Sequence, residues 1–82
     1  MTDARKAALA QMTAIAAAIR RLGGAATAAA ISADTGLPLR AVTRRLTENG
    51  TALMTSAGRC FVRAGDGWKL TARGLALVEP AA

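Results

Sequence analysis

Apolar positions in the first quarter of the chain follow a helical rhythm. Leu9, Met12, Ile15, Ala16, Ile19 and Leu22 recur at steps of three and four, which lays one stripe along a helix of about residues 3–22. Thr2 suits the cap of that helix and Asp3 its first turn, while Gly23-Gly24 ends it. Arg5, Lys6, Gln11, Arg20 and Arg21 fall off the stripe or at its margin. The helix is therefore expected to be scaffold, with a dimer contact as an additional use.

Two shorter helical runs follow. Thr27 has the side chain of an N-cap for a helix Ala28–Thr35, and Gly36 stands where such a helix stops. Ile31 is its one large apolar anchor. Leu37 comes next, and Pro38 fits the first position of a third helix, where its missing N–H costs nothing. Val42 and Leu46, spaced i, i+4, face inward, with Leu39 expected one turn earlier on the same side, and Asn49-Gly50 closes the run. Two short helices joined by a few residues around a glycine, over about residues 27–49, predict a helix-turn-helix corner.

After Gly50 the pattern changes to short strands, and the region of about residues 52–71 is expected to be β-structure. Ala52–Thr55 is a candidate first strand, with Arg59–Arg63 and Trp68–Leu70 forming a hairpin. Gly65-Asp66 and Asp66-Gly67 are both acceptable two-residue turns. Either one pairs odd positions of the first strand with even positions of the second. Phe61 and Arg63 then share a face with Trp68 and Leu70, and Val62 and Lys69 lie on the other. Arg63 is expected to lie across the Trp68 ring. Thr71 caps a last short helix, about residues 72–79, carrying Leu75, Leu77 and Val78 and ended by Pro80. The fold class expected is mainly α with a small β-hairpin, an α+β domain occupying residues 1–82 as one unit.

Composition narrows the function. The chain has 11 Lys and Arg against 5 Asp and Glu, a net charge of +6, which favours a polyanionic partner. With no histidine and a single cysteine, neither a disulfide nor a zinc set is expected. Cys60 lacks a histidine to activate it, so it is expected to sit in or beside a strand in a reducing, intracellular setting. No apolar run reaches the ~18 residues of a membrane span, and Arg20-Arg21 follows the small N-terminal residues where a signal peptide would need a cleavage site. There are no paired carboxylates at a useful spacing and no phosphate-binding glycine loop, so no enzymatic activity, cofactor, metal or small-molecule ligand is expected.

The segment "ISADTGLPLRAVTRRL" resembles the helix-turn-helix motif of winged helix-turn-helix DNA-binding domains of the bacterial and phage regulator type. Ile31 stands at the aliphatic position, Ser32 at the small one, Gly36 at the turn glycine, and Leu37, Val42 and Leu46 at the apolar ones. "GWKLTARGLALV" is similar to the family's frequent ending, an aromatic strand residue followed by Leu-Thr-x-x-Gly-x-x-Leu. The likeness runs from about Ala25 to Val78. It departs from the pattern at Ser32, where alanine is usual, at Pro38, where a serine or threonine cap is common, and in the extra stretch "TSAGR".

That resemblance implies a three-helix core with a wing and a short C-terminal helix, and double-stranded DNA as partner. It implies a cytoplasmic, nucleoid-associated regulator of transcription. A homodimer is a further expectation that rests on the apolar stripe of the first helix and the few contacts a unit of this size makes, with the oligomeric state left open. A major groove ~12 Å wide admits one helix. With Val42 and Leu46 inward, the third helix presents Arg40, Thr43, Arg44 and Thr47 to that groove. Arg45, at the edge of the buried stripe, is expected on phosphate. The only acid of the helix, Glu48, is in its last turn, and the competing view is a merely solvated basic face. Wings of the family touch phosphates or the minor groove, which implies contacts from Arg59, Arg63 and Lys69. Two other classes remain open: a winged-helix protein–protein module, which would show an exposed apolar patch, and RNA binding, disfavoured by the lack of aromatic platforms.

Overall fold

The computed structural model describes residues 3–50 and 58–78. In chain order they form helix α1 (Asp3–Arg21), strand β1 (Ala25–Ala26), helices α2 (Ala28–Thr35) and α3 (Leu39–Gly50), strands β2 (Phe61–Ala64) and β3 (Gly67–Leu70), and helix α4 (Ala72–Ala76). The described residues thus make an α+β fold of four helices and one antiparallel sheet, ordered β1-β3-β2. The expected strand Ala52–Thr55, the Thr2 cap and Pro80 lie outside the described residues.

Most helix ends within the described residues have a local cause. α1 closes in a Schellman arrangement: Gly24 N–H reaches Ile19 O at 2.9 Å and Gly23 N–H reaches Arg20 O at 3.2 Å, both glycines at φ 101°. Thr27 caps α2 by accepting the Ala30 N–H at 3.1 Å. Gly36 ends α2 at φ 77°, a left-handed conformation costly to any residue with a Cβ. The turn is then stapled from both sides. Ser32 Oγ donates to Leu37 O at 2.7 Å, while Thr35 Oγ1 donates to Ile31 O at 2.8 Å and accepts the Leu37 N–H at 3.1 Å. Ser32 is therefore a hydrogen-bonding member of the turn as well as a small residue. Pro38 stands one place earlier than expected, as the cap of α3, its carbonyl accepting the Val42 N–H at 3.1 Å.

Apolar packing joins these pieces. Ile15, Ala16, Ala18 and Ile19 of α1 meet Ile31 of α2, Val42 and Leu46 of α3, and Cys60 and Phe61, all buried. Met12, Leu37, Trp68, Leu70, Leu77 and Val78 pack around this centre partly buried. α1, α2 and α3 touch one another pairwise, and β2 lies against α3. Three leucines differ from expectation or from the inward stripe: Leu9, Leu22 and Leu39 are 45%, 40% and 50% exposed. Leu39 was expected inward, and by angle around the helix it lies beside Leu46. Along the axis, however, it sits a turn before the core contact, where Leu37 packs instead.

The hairpin follows the expected parity. Phe61 pairs with Leu70, Val62 with Lys69, Arg63 with Trp68 and Ala64 with Gly67. The turn is Gly65-Asp66, with Gly65 at φ 60° and Asp66 at negative φ, the sign pattern of a II′ turn. β2 begins at Phe61, two residues later than expected. The preceding carbonyls are taken by Thr71, whose N–H donates to Cys60 O at 3.1 Å and whose hydroxyl donates to Arg59 O. β1 was not expected. It forms because Ala25 and Ala26 pair with Lys69 and Trp68, placing β3 in the middle of the sheet. Gly67 permits that approach: a Cβ there would stand 2.5 Å from Ala26 O. Among the described residues, no helix is long and apolar enough to cross a membrane.

Candidate nucleic-acid interface

Val42 and Leu46 fix the rotation of α3 by burying one side of it. At ~100° per residue, Thr43, Thr47, Arg40 and Arg44 then occupy an arc of roughly 100° on the other side. All four are exposed. Their face borders an open groove of about 460 Å³, lined by Gln11, Pro38, Arg40, Ala41, Arg44 and Arg45. α1 thus contributes to the same surface, through a residue the sequence pattern leaves on the margin of its stripe.

The three arginines of α3 are held differently. Arg40 is exposed, and no hydrogen bond or ion pair reaches it from the described residues. Arg44, its side chain 69% exposed, donates from Nε to Glu48 Oε1 at 2.9 Å. Arg45 is only 18% exposed, donating from Nε to Gln11 Oε1 at 2.9 Å and from Nη1 to Glu48 Oε2 at 3.3 Å. The hydrogen bond from Arg44 is the chief reason the Glu48 carboxyl is held below its ordinary range, with the charges of Arg44 and Arg45 adding to it. The basic face is therefore not without an acid. Glu48 engages both neighbouring guanidiniums, and Arg45 reaches a phosphate only by exchanging bonds it already makes within the fold.

The hairpin positions divide. Arg63 is exposed on the same face as its partner Trp68, with its guanidinium carbon 5.2 Å from the ring centroid, the expected cation–π contact. Lys69 is exposed on the opposite face, in the central strand between Val62 and Ala25. Arg59 is half-buried, its Nε enclosed without a hydrogen-bond partner among the described residues. The structure thus gathers Arg40, Thr43, Arg44 and Thr47 on one surface, with Arg45 at its inner edge. It does not bring Arg59, Arg63 and Lys69 to one face.

Cys60 is a buried free thiol, and burial pushes its pKa up against the opposing influence of Arg73. Two members of the α3 neighbourhood were missed as participants: Glu48 and Gln11. The Glu48 pairings were readable from i, i+4 and i, i+3 spacing to Arg44 and Arg45. The Gln11–Arg45 bond joins residues 34 apart in sequence and carries no local signal. Comparison with known proteins adds no relative: no family model matches the chain, no curated protein matches its sequence, and no solved structure matches its fold.

Proposed function

We propose that this protein is a winged helix-turn-helix domain that binds double-stranded DNA by laying α3 in the major groove, and that it regulates transcription. The observation carrying this reading is the exposed arc of Arg40, Thr43, Arg44 and Thr47 opposite the buried Val42 and Leu46. That arc sits on a helix whose entry is fixed by the stapled turn at Gly36. Arginine pairs bidentately with guanine or holds phosphate, and threonine meets bases or backbone. The element order, helix, helix, turn, helix, hairpin and short helix, is the layout that the motif resemblance implies. Arg63 and Lys69 serve as backbone contacts from the wing in this reading, and Arg45 as a phosphate contact. Such a partner goes with a cytoplasmic, nucleoid-associated location.

The exposed Leu9 on α1 and Leu22 just after its last turn favour a homodimer built on that helix. A small DNA-binding unit makes few contacts alone, so paired half-sites supply the missing affinity. Selection from random duplexes with the purified chain, with sedimentation at micromolar concentration in parallel, tests both parts. A preferred site and a two-chain complex are expected. The comparison that decides the DNA reading is Arg40→Ala/Arg44→Ala, folding verified by melting, on selected and random duplexes. If the folded double variant binds both as well as wild type, α3 is not the reading element. Exposed apolar positions would then point to protein–protein contact.

A further inference from the structure

We infer that Glu48 is a positioning residue that orients Arg44 to read a guanine, and that Arg44 and Arg40 therefore have different duties. The inference rests on the DNA reading of α3 and assigns the specificity within it. A guanidinium has five N–H groups, and bidentate pairing with guanine O6 and N7 uses two of them, aligned in one plane. Glu48 accepts from Arg44 Nε, on the flank of the plane, at 2.9 Å. Among the described residues no other bond holds Arg44, so both terminal nitrogens stay open toward solvent.

The carboxylate is itself fixed. Its second oxygen accepts from Arg45 Nη1 at 3.3 Å, and Arg45 is anchored by its Nε on Gln11 Oε1 at 2.9 Å and by being only 18% exposed. A chain of bonds therefore runs from α1 through Gln11, Arg45 and Glu48 to Arg44. It ends in a guanidinium whose plane is constrained and whose fork is free. Arg40, one turn earlier and bordering the same groove, has no such brace among the described residues. An unbraced arginine suits the phosphate backbone, which demands charge but little orientation.

The assignment has a signature that a simple counter-charge lacks. Glu48 carries negative charge beside the DNA, so removing it strengthens binding to every duplex by electrostatics alone. If Glu48 also orients Arg44, the same removal weakens discrimination at one base pair. The two effects run in opposite directions.

The experiment uses the full chain on the selected duplex, its single-base variants and a random duplex, each across a salt titration. For Glu48→Ala, random-duplex affinity is expected to rise severalfold, while preference at one guanine falls roughly tenfold. Glu48→Gln keeps an acceptor without the charge, so it raises random binding similarly but retains most of the preference. Arg44→Ala loses preference at that same guanine. Arg40→Ala weakens all duplexes alike and lowers the salt slope by about one. Glu48→Ala binding every duplex more tightly by one common factor, while Arg44→Ala loses preference, overturns the Glu48 assignment and leaves the DNA reading standing. A wild type without preference for any duplex, or an Arg40→Ala/Arg44→Ala variant binding like wild type, overturns both. Melting of each variant separates a folding loss from these outcomes, with Glu48→Gln as the less disruptive arm.

Discussion

Replacing Gly74 by alanine sets two physical effects against each other, and the structure says which wins. Gly74 is the third residue of α4, and alanine in a helix is ordinarily more stable than glycine by about 1 kcal/mol. Helix propensity alone therefore predicts a stabilised protein. A Cβ at Gly74, however, would stand only 2.2 Å from the Cys60 carbonyl oxygen, 3.1 Å from its carbon and 3.0 Å from Leu70 Cδ2. Even a short C–H···O contact holds carbon and oxygen ~3.3 Å apart, so roughly 1 Å of movement is required. The obstacle is backbone and cannot rotate away.

That same carbonyl accepts the Thr71 N–H at 3.1 Å, and the adjacent Arg59 carbonyl accepts the Thr71 hydroxyl. Displacing α4 weakens these bonds, each worth ~1 kcal/mol, and draws Leu77 and Val78 from the core edge they cover. Overpacking of this kind costs about 1–3 kcal/mol, more than a five-residue helix recovers from propensity. A net loss of ~2 kcal/mol corresponds to a melting point lower by roughly 10 °C in a domain of this size. Circular dichroism melting of Gly74→Ala beside wild type measures it. A variant that melts at or above wild type would refute the close approach of α4 to Cys60, and with it this account of the Leu-Thr-x-x-Gly spacing.

Other positions give independent tests. Gly36→Val is expected to cost about 1–2 kcal/mol from backbone strain alone, since φ is 77° and a Cβ meets nothing within 4 Å; urea melts check it, and an unchanged midpoint would move the turn elsewhere. Leu46→Ala is expected to lose about 2–5 kcal/mol and Leu39→Ala less than about 1 kcal/mol, the same chemistry at a buried and a half-exposed site, so equal losses would contradict the placement of α3. The folded-state pKa of Glu48 lies below its ordinary value of 4.5, so its pairing stabilises the fold above the ordinary carboxylate range and is lost as pH falls through the lowered value. The stability difference between wild type and Glu48→Gln should therefore be flat from neutrality to about pH 5 and shrink progressively as pH falls through the ordinary carboxylate range toward the lowered value, and a difference unchanged at pH 3 would exclude the ion pair as its source.

Local chemistry made the α2–turn–α3 unit legible. A threonine cap, a glycine that must take positive φ and two inward residues one turn apart each act over a few residues, and the structure places all of them as the pattern predicts. The hairpin faces were legible for a different reason: both admissible turns give the same parity, so Phe61, Trp68 and Leu70 share a side whichever is used. β1 was not legible. Ala25 and Ala26 have little strand preference, and only pairing with β3 makes them a strand. Leu39 shows the limit of periodicity, which fixes direction around a helix axis but not reach along it. Among site residues, exposure of Arg40, Thr43, Arg44 and Thr47 followed from that same rotation. The restraint on Arg45 did not, because its partner on α1 is brought near only by folding.

A net charge of +6 suggests a uniformly basic surface, but the side chains do not distribute it that way. Arg21 is committed to Asp34, tying α1 to α2; Arg45 is committed to Gln11 and Glu48; and Arg63 lies over Trp68. Each of these cations is restrained by the fold. On α3 the charge left to a partner is Arg40 and the open edge of Arg44. Long-range attraction still sums over every cation, so the whole chain draws a polyanion toward it. Close contact is a different matter, because only groups free to exchange water for a phosphate or a base contribute there. On α3 itself, the groups open to close contact are one unrestrained arginine and one braced one, while the exposed Lys69 adds charge from the hairpin. A polyanion held only by total charge would have no use for that brace, whereas the proposed base-edge reading by Arg44 gives it one.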